Sequence, residues 1–348
     1  MYKRINTSLL ALVIALAAFV LSGKQSEQVV TAAPATSFEL LSALPASDFI
    51  IYVDTQRVMT DVLPVILVDH PEARAKLESD IEKFKTHVGF DPRQLDAIAV
   101  GLNLNSQGGR GTTFAVIARG RFDANAAIDA GLTAATKESR GELAKRTQVY
   151  EGRTLFMLVP AGRQSAERGA PNETENEPSD QLIVFVALDS NTVAFGNLKS
   201  VRATIDASLG RDRVDDQLVQ LATRTPNAVA CFSGKVSPEM ASRLHIGNKE
   251  ADTRIAAIRQ VYGSFNTNGN NAEGLVNIRM EADEDARQLS TALNALKIMA
   301  KIGLSEATDE RKSIEAMVRN VEIFAVGNEV QITTRVALSD LAPFVPKR

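Results

Sequence analysis

Short segments in which apolar and polar residues alternate recur along this chain, and they predict β-hairpins. Two of these hairpins lie in residues 98–135 and 261–295, where a strand, a turn rich in Gly or Asn, and a second strand lead into a helix. Each helix follows an acidic residue, Asp123 in the first stretch and Asp283 in the second. Because Asp is a favoured N-cap residue, both positions are typical of a helix start.

The order of these elements is the same in the two halves of the chain. A further hairpin, turning at residues 189–191, precedes a short helix predicted at 198–209. In the second half, a hairpin turning at Gly327 and Asn328 precedes a short helix at 339–344. We therefore predict two similar repeats, related by the order of their elements and not by residue identity.

The predicted helices have one apolar face each. Apolar residues recur at helical spacing, with charged residues between them, at Leu77, Ile81, Phe84 and Val88, and again at Leu289, Leu293, Leu296 and Ala300. One-sided helices beside alternating strands are typical of an antiparallel sheet with helices on one face. The fold class that we predict is therefore α+β, with two such repeats.

The order of the elements sets the limits of the two predicted repeats. The first repeat is placed at residues 38–215 and the second at 216–348, with the boundary falling near 210–225. Residues 161–180 contain no aliphatic side chain larger than Ala, so we expect a mobile loop within the first repeat.

The N-terminus has the pattern of an export signal. Lys3 and Arg4 precede an apolar run over residues 9–21, which predicts a signal peptide or N-terminal anchor helix at 1–23. Residues 24–37 are polar and have no apolar period, so they are predicted to be a flexible tether. We expect an exported protein, periplasmic or tethered to the inner membrane by a single N-terminal segment.

Composition excludes several classes of function. The chain has 348 residues, 45% hydrophobic and 23% charged, and a formal net charge of -3. A chain without a basic excess is an unlikely nucleic-acid binder, so no nucleic-acid partner is expected. One cysteine, Cys231, excludes an internal disulfide and a cysteine-based zinc cluster. No cofactor and no metal are predicted.

Two loops have the residue types of binding sites but also simpler interpretations. Residues 108–111 are rich in Gly, yet they join two strands and lack the Lys-Ser/Thr pair of a phosphate loop. Asn266, Asn268, Asn270 and Glu273 have roughly the spacing of a calcium loop, but neutral amides compensate poorly for the dehydration of a divalent cation. Hairpin turns explain both loops better.

The candidate catalytic side chains also have structural interpretations. Asp69 and His70 lie side by side, but no nucleophile motif accompanies them, and they precede Pro71 at a predicted helix start. Cys231 lies within an apolar strand, where a thiol is expected to be buried and unreactive. His87 and His245 do not form a zinc-binding helix motif. We therefore predict no catalytic residue.

One nearly continuous apolar segment surrounds Pro64, which is expected to interrupt any helix. Core packing is the first interpretation of this segment, and a lid or surface patch for a hydrophobic ligand or partner is the alternative. Its candidate binding residues are Val62, Leu63, Val65, Ile66, Leu67 and Val68.

The layout of the chain resembles that of exported bacterial proteins of unknown function with paired α+β repeats. The residues that carry this resemblance are the opener at 44–47, Leu-Pro-Ala-Ser, and the Phe195-Gly196 turn that precedes a helix. The resemblance extends from about Phe38 onward. It implies an envelope location and no catalytic residues.

Three functions are consistent with these observations. The first is a non-enzymatic envelope protein that acts as a binding or scaffolding module for an unknown protein. The second is a periplasmic carrier of a lipid or other hydrophobic ligand, with the segment around Pro64 as its lid. The third is a hydrolase whose site is assembled from distant residues.

Overall fold

The computed structural model describes residues 35–104, 113–140, 142–161, 182–241, 254–303 and 318–344. The predicted signal segment at 1–23 lies outside these residues. So do the tether up to residue 34, the Gly-rich turn at 108–111, the loop predicted at 161–180 from residue 162 onward, and His245.

The chain forms helices and antiparallel strands in the described residues. The strands are β1 Phe49–Asp54, β2 Leu95–Asn103, β3 Thr113–Gly120, β4 Leu143–Tyr150, β5 Arg153–Pro160, β6 Val184–Asp189, β7 Thr192–Gly196, β8 Ala230–Lys235, β9 Ile258–Asn268, β10 Asn271–Met280, β11 Glu322–Val326 and β12 Glu329–Ala337. The α-helices are α1 Ala35–Ser42, α2 Thr55–Arg57, α3 Leu63–Ile66, α4 Pro71–Val88, α5 Ala124–Glu138, α6 Leu198–Ser208, α7 Asp216–Ala222, α8 Pro238–Ala241 and α9 Asp283–Gly303. A π-helix spans Val58–Val62, and 3₁₀-helices span Pro92–Gln94 and Leu338–Phe344.

These elements fall into two compact units. The seven-stranded unit consists of Thr36–Gln56 and Arg74–Asp216, and its strands lie in the order β1-β2-β3-β7-β6-β5-β4. The five-stranded unit contains Arg57–Ala73 and the chain from Gln217 onward, with the strand order β11-β12-β10-β9-β8. Neighbouring strands are antiparallel within each unit. The predicted α+β class with antiparallel pairing is therefore confirmed, whereas the two-repeat arrangement stays a prediction.

Local sequence signals explain several of these boundaries. The Asp123 carboxylate accepts a hydrogen bond from the Ala126 N–H at 2.7 Å, as expected of the N-cap of α5. The β6–β7 turn is closed by Asp189, whose Oδ1 accepts the Asn191 N–H at 2.9 Å. Gly327 has a φ of 56°, so glycine suits the two-residue turn between β11 and β12.

Helices contact both faces of the seven-stranded sheet. On one face, Ile128 and Leu132 of α5 are buried in a cluster against which Phe156 packs. Thr147, three residues before Tyr150, is the cross-strand partner of Phe156, so Tyr150 points to the other face. There its hydroxyl donates to Asp206 of α6 at 2.9 Å. The prediction that helices cover only one face of the sheet is therefore wrong for this unit. Its strands carry apolar side chains on both faces, so both faces need to be covered.

The chain stays helical across Pro64. The π-helix ends at Val62, and α3 begins at Leu63, with Pro64 in its first turn. A proline fits there because the first turn of a helix needs no intrahelical N–H donor. The expected interruption is therefore a change from π-helical to α-helical backbone and not a break.

Candidate functional site

A cavity of about 240 Å³ lies within the seven-stranded unit and is the candidate site. We call it the arginine cavity, because two guanidinium groups line it. Its lining residues come from separate segments of the chain: Leu40, Ala43, Ile117, Arg119, Arg153, Leu188, Asp189, Thr192 and Ser208.

The strand register brings the two arginines to one face of the sheet. Arg119 of β3 pairs directly with Thr192 of β7. Arg153 begins β5, two residues before Leu155, which pairs with Val186 of β6. Side chains two residues apart point to the same face of a strand. The sheet therefore places both arginines on the face that carries Ile117.

Two buried apolar side chains form part of the cavity wall. Leu40 of α1 and Ile117 of β3 are each only 1% exposed. Ser208, the last residue of α6, is exposed and completes the lining from the solvent side. The cavity thus combines an apolar surface with charged groups, an arrangement that small-molecule sites commonly have.

Arg119 has partners at the surface. Its Nη1 lies 3.1 Å from Oε2 of Glu39, whose side chain is 61% exposed. Its Nε donates to the Thr192 hydroxyl at 3.3 Å. An exposed ion pair of this kind contributes about 0–1 kcal/mol. The Glu39 contact is therefore weak enough to be exchanged for another carboxylate.

Arg153 is bonded to main-chain carbonyls. Its Nη1 donates to the Ala187 carbonyl at 3.2 Å and also to the Leu188 carbonyl. Within the part of the chain that the structure describes, no carboxylate lies within ion-pair distance of Arg153. Asp189 lines the same cavity, and one of its oxygens accepts the Asn191 N–H. Arg153 is thus positioned by the β6–β7 hairpin, and no acid of the described residues forms an ion pair with it.

A second, more open depression runs along α6. Its volume is about 340 Å³, and its described lining comes from that helix alone, with Lys199 and Arg202 as its cations. The Arg202 guanidinium lies 5.4 Å from the centre of the Tyr150 ring. The hydrogen bond to Asp206 raises the pKa of Tyr150, so this hydroxyl remains a donor. With one helix as its described wall, the depression encloses a ligand less well than the arginine cavity.

The five-stranded unit contains a polar cluster around Tyr262, which we call the Tyr262 cluster. The Tyr262 hydroxyl donates to Glu329 Oε2 at 2.8 Å and accepts a bond from Arg224. Arg279 donates to Glu329 Oε1 at 2.7 and 2.9 Å, and also to Gln260 at 2.8 Å. Strands β9, β10 and β12 are joined by these contacts.

Two groups of the Tyr262 cluster have pKa values shifted away from neutrality. Burial, followed by the hydrogen bond to Glu329, raises the pKa of Tyr262 to about 12. Burial alone would raise the pKa of Glu329, but its hydrogen bonds to Tyr262 and Arg279 and the charges of Arg279 and Arg224 outweigh it and lower that pKa. The phenol stays protonated and the carboxylate stays ionised near pH 7. A general acid or base needs a pKa near its working pH, so the cluster is suited to cross-linking strands.

The apolar segment around Pro64 is divided between core and surface. Among its candidate binding residues, Val62, Ile66 and Leu67 are buried, and Leu63 and Val65 are partly buried. Val68 is 65% exposed. The buried residues are engaged in packing, and a lid role for the segment stays a prediction.

The other residues singled out from the sequence lie apart from the arginine cavity. Asp69 and His70 are exposed and directly precede α4, which begins at Pro71. Cys231 is 3% exposed, and burial raises the pKa of its thiol to about 12. In the calcium-like loop, Asn268 and Glu273 lie on either side of the β9–β10 turn.

Metal-binding groups are absent from the described residues. Within those residues, no group of three or more neighbouring His, Cys, Asp or Glu side chains could hold a metal ion. Glu273, the acidic residue of the calcium-like loop, forms an ion pair with Arg335.

Sequence reasoning missed Arg119 and Arg153 as binding residues. No motif joins them, since they lie on different strands and the lining spans residues 40 to 208. The only sequence feature that they share is an arginine near the end of a predicted strand, and such arginines are too common to identify a binding site.

Comparisons with known proteins give no family and a low likeness to solved structures. No family model matches the chain, and no curated protein matches it. Crystal form III of the bacterial protein TP0453 is similar, with a TM-score of 0.45 and 9% identity over 92% of this chain and 99% of that one. Crystal form IV has a TM-score of 0.43 and 10% identity over 88% and 95% of the two chains. Likeness at this level carries no information on ligand or role.

In the described ranges, no helix combines the length and apolar character that a membrane crossing requires.

Proposed function

We propose that this protein is a non-enzymatic, exported envelope protein that acts as a binding module, with a small ligand held in the arginine cavity. The observation that carries the proposal is the environment of Arg153. Its guanidinium lines a partly apolar cavity and bonds to the carbonyls of Ala187 and Leu188, but no carboxylate of the described residues forms an ion pair with it. A cation held in place beside apolar surface is well suited to ligand recognition.

The direction of the pKa shifts supports a non-enzymatic role. In the described part of the chain, each resolved shift moves a group away from neutrality. The pKa values of carboxyl groups fall, as for Asp91, whose pKa is lowered to about 2 by Arg93. The pKa values of the phenols and the thiol rise, as for Tyr262 and Cys231. Acid–base and nucleophilic catalysis commonly use the opposite direction, toward the working pH.

Export and envelope location belong to the same proposal. They are supported by the sequence of Lys3 and Arg4 followed by the apolar run at 9–21. A ligand-binding protein that is periplasmic or tethered to the inner membrane fits this pattern.

We infer a duplication as the origin of the two units. The order of elements supports it: hairpin β2–β3 leads to α5, and hairpin β9–β10 leads to α9. Hairpins β6–β7 and β11–β12 are each followed by a helix, α6 in the first case and the 3₁₀-helix Leu338–Phe344 in the second. The predicted repeat limits, 38–215 and 216–348, follow from this order.

Native mass spectrometry of protein purified from its own envelope tests the binding function. We expect an added mass of a small molecule on the wild-type chain and its loss in Ser208→Phe, where a bulky ring is placed in the cavity lining. Thr147→Phe is the control, since Thr147 is exposed on β4 and is not part of the lining. A wild-type chain without any added mass, or equal retention in both variants, would contradict the proposal.

A further inference from the structure

The charges of the arginine cavity specify a class of ligand. Arg119 and Arg153 contribute two positive charges to the lining, and Asp189 contributes one negative charge. Glu39 pairs with Arg119 but is not part of the lining, and its side chain is mostly exposed. The lining therefore has a net charge of one positive unit when the exchangeable Glu39 is left aside. A single negative charge on the ligand balances it, whereas a dianion would also face Asp189.

The unused donors of Arg153 favour a carboxylate. A guanidinium has five N–H donors in a planar fork, and the recorded hydrogen bonds of Arg153 within the described residues all come from Nη1. Nε and Nη2 therefore remain for a ligand. These two nitrogens form the edge of the guanidinium that binds both oxygens of a carboxylate in parallel.

Arg119 can provide a second contact at small cost. Its ion pair with Glu39 is largely in solvent, and exposed pairs are weak. A ligand carboxylate within the cavity is less hydrated, and charge-assisted hydrogen bonds strengthen under those conditions. Exchange of Glu39 for the ligand is therefore favourable.

The size and walls of the cavity define the rest of the ligand. About 240 Å³ corresponds to roughly eight water molecules at their share of liquid volume, which suits a small molecule. Leu40 and Ile117 are almost wholly covered by protein, so the apolar lining residues that are partly exposed are Ala43 and Leu188. A short hydrocarbon group has complementary surface there.

Resting on the proposed binding function, we propose that the arginine cavity binds a small monocarboxylate. Its carboxylate lies on Arg153 and Arg119, and its short apolar group lies against Ala43 and Leu188. The proposal specifies the chemistry of the ligand, which the binding function alone leaves open.

Titration calorimetry with hexanoate on the purified full-length chain tests this inference. We expect hexanoate to bind and hexanamide, the neutral analogue of the same size, to bind at least tenfold more weakly, because a hydrogen-bonded charge is lost. Inorganic phosphate should bind more weakly than hexanoate. Equal binding of the amide, or preferential binding of phosphate, would overturn the inference.

Variants locate the carboxylate. Arg153→Gln should weaken hexanoate binding roughly tenfold or more. Arg121→Gln is the matched control: Arg121 is 63% exposed, pairs with Asp96, and is absent from the lining. If Arg153→Gln does not fold, Arg119→Gln provides the same test. Unchanged affinity in the folded cavity variants would also overturn the inference.

The outcomes separate this inference from the binding function. If the purified protein carries a small molecule that Ser208→Phe loses, yet hexanoate does not bind the ligand-free chain, the monocarboxylate assignment fails and the binding function stands. If neither a retained molecule nor any probe binds, both fail.

Discussion

Glu329 shows how a single side chain can hold several strands together. Its two oxygens accept hydrogen bonds from Tyr262 and Arg279, and Arg224 lies 3.5 Å away. The carboxylate is only 12% exposed, so the loss of its charge would leave two guanidinium groups without their shared partner. Groups of this kind are costly to remove singly, even where the whole cluster adds little net stability.

Glu329→Gln should lower the free energy of unfolding at pH 7 by about 2–4 kcal/mol. The folded protein lowers the pKa of Glu329, so its stabilisation is present above the unfolded value of about 4.3 and is lost as pH falls through the folded value. The difference between wild type and variant should therefore shrink at pH 3. Urea unfolding at both pH values measures it.

The control for this prediction is Glu284→Gln. Glu284 is 60% exposed and pairs with Arg287 on the same helix, so its removal should change the free energy of unfolding far less than removal of Glu329 does. Equal effects of the two substitutions would contradict the role assigned to Glu329.

Cys231 should be unreactive in the folded protein. Its thiol is buried, and its pKa, raised to about 12, leaves little thiolate at pH 8. We expect 5,5′-dithiobis(2-nitrobenzoate) to react in urea and to react at least about 100-fold more slowly without it. Rapid labelling of the native chain would show instead an accessible thiol.

At the scale of elements, the five-stranded sheet has a protected edge. Among the described strands of this unit, β11 pairs only with β12, and the carbonyls that point away from β12 include that of Ile323 and that of Val321, the residue before the strand. Asn294 of α9 donates to the Ile323 carbonyl at 2.9 Å, and Lys297 donates to that of Val321. Open strand edges template pairing between chains, and side chains that occupy their acceptors prevent it.

The double substitution Asn294→Ala and Lys297→Ala should therefore promote self-association. We expect light scattering coupled to size exclusion to give the variant a molar mass at least twice that of the wild type at the same concentration. Arg287→Ala and Gln288→Ala on the same helix are the control, because both residues contact Glu284 and not β11. An unchanged molar mass in the edge variant would contradict the protective role.

Local pattern predicts elements better than it predicts what they contact. The stripe of Leu77, Ile81 and Phe84 does lie along one partly buried side of α4, with charged residues exposed between them. On α9 the stripe fails toward its end: Leu289 is 5% exposed, but Leu296 is 44% exposed. The helical period specifies which face of the helix is apolar. How far along the helix that face is buried depends on strands that are distant in sequence.

For the whole molecule, the same distinction explains why the arginine cavity was missed. Hairpins, turns and caps such as Asp123 depend on neighbours in sequence and could be predicted. The cavity depends on the pairing of β3 with β7 and of β5 with β6, which brings Arg119 and Arg153 to one face. Nothing in the spacing of these residues specifies that pairing. The residues that could be recognised by motif, including His70 and Cys231, lie elsewhere.

The central claim is that the arginine cavity holds a ligand while the Tyr262 cluster holds the fold. Native mass spectrometry of three chains purified from the same host cells tests it most directly: wild type, Arg153→Gln and Glu329→Gln. We expect the added mass of a small molecule on the wild type, its loss in Arg153→Gln, and its retention in Glu329→Gln despite lower stability. Retention in Arg153→Gln together with loss in folded Glu329→Gln would contradict the claim.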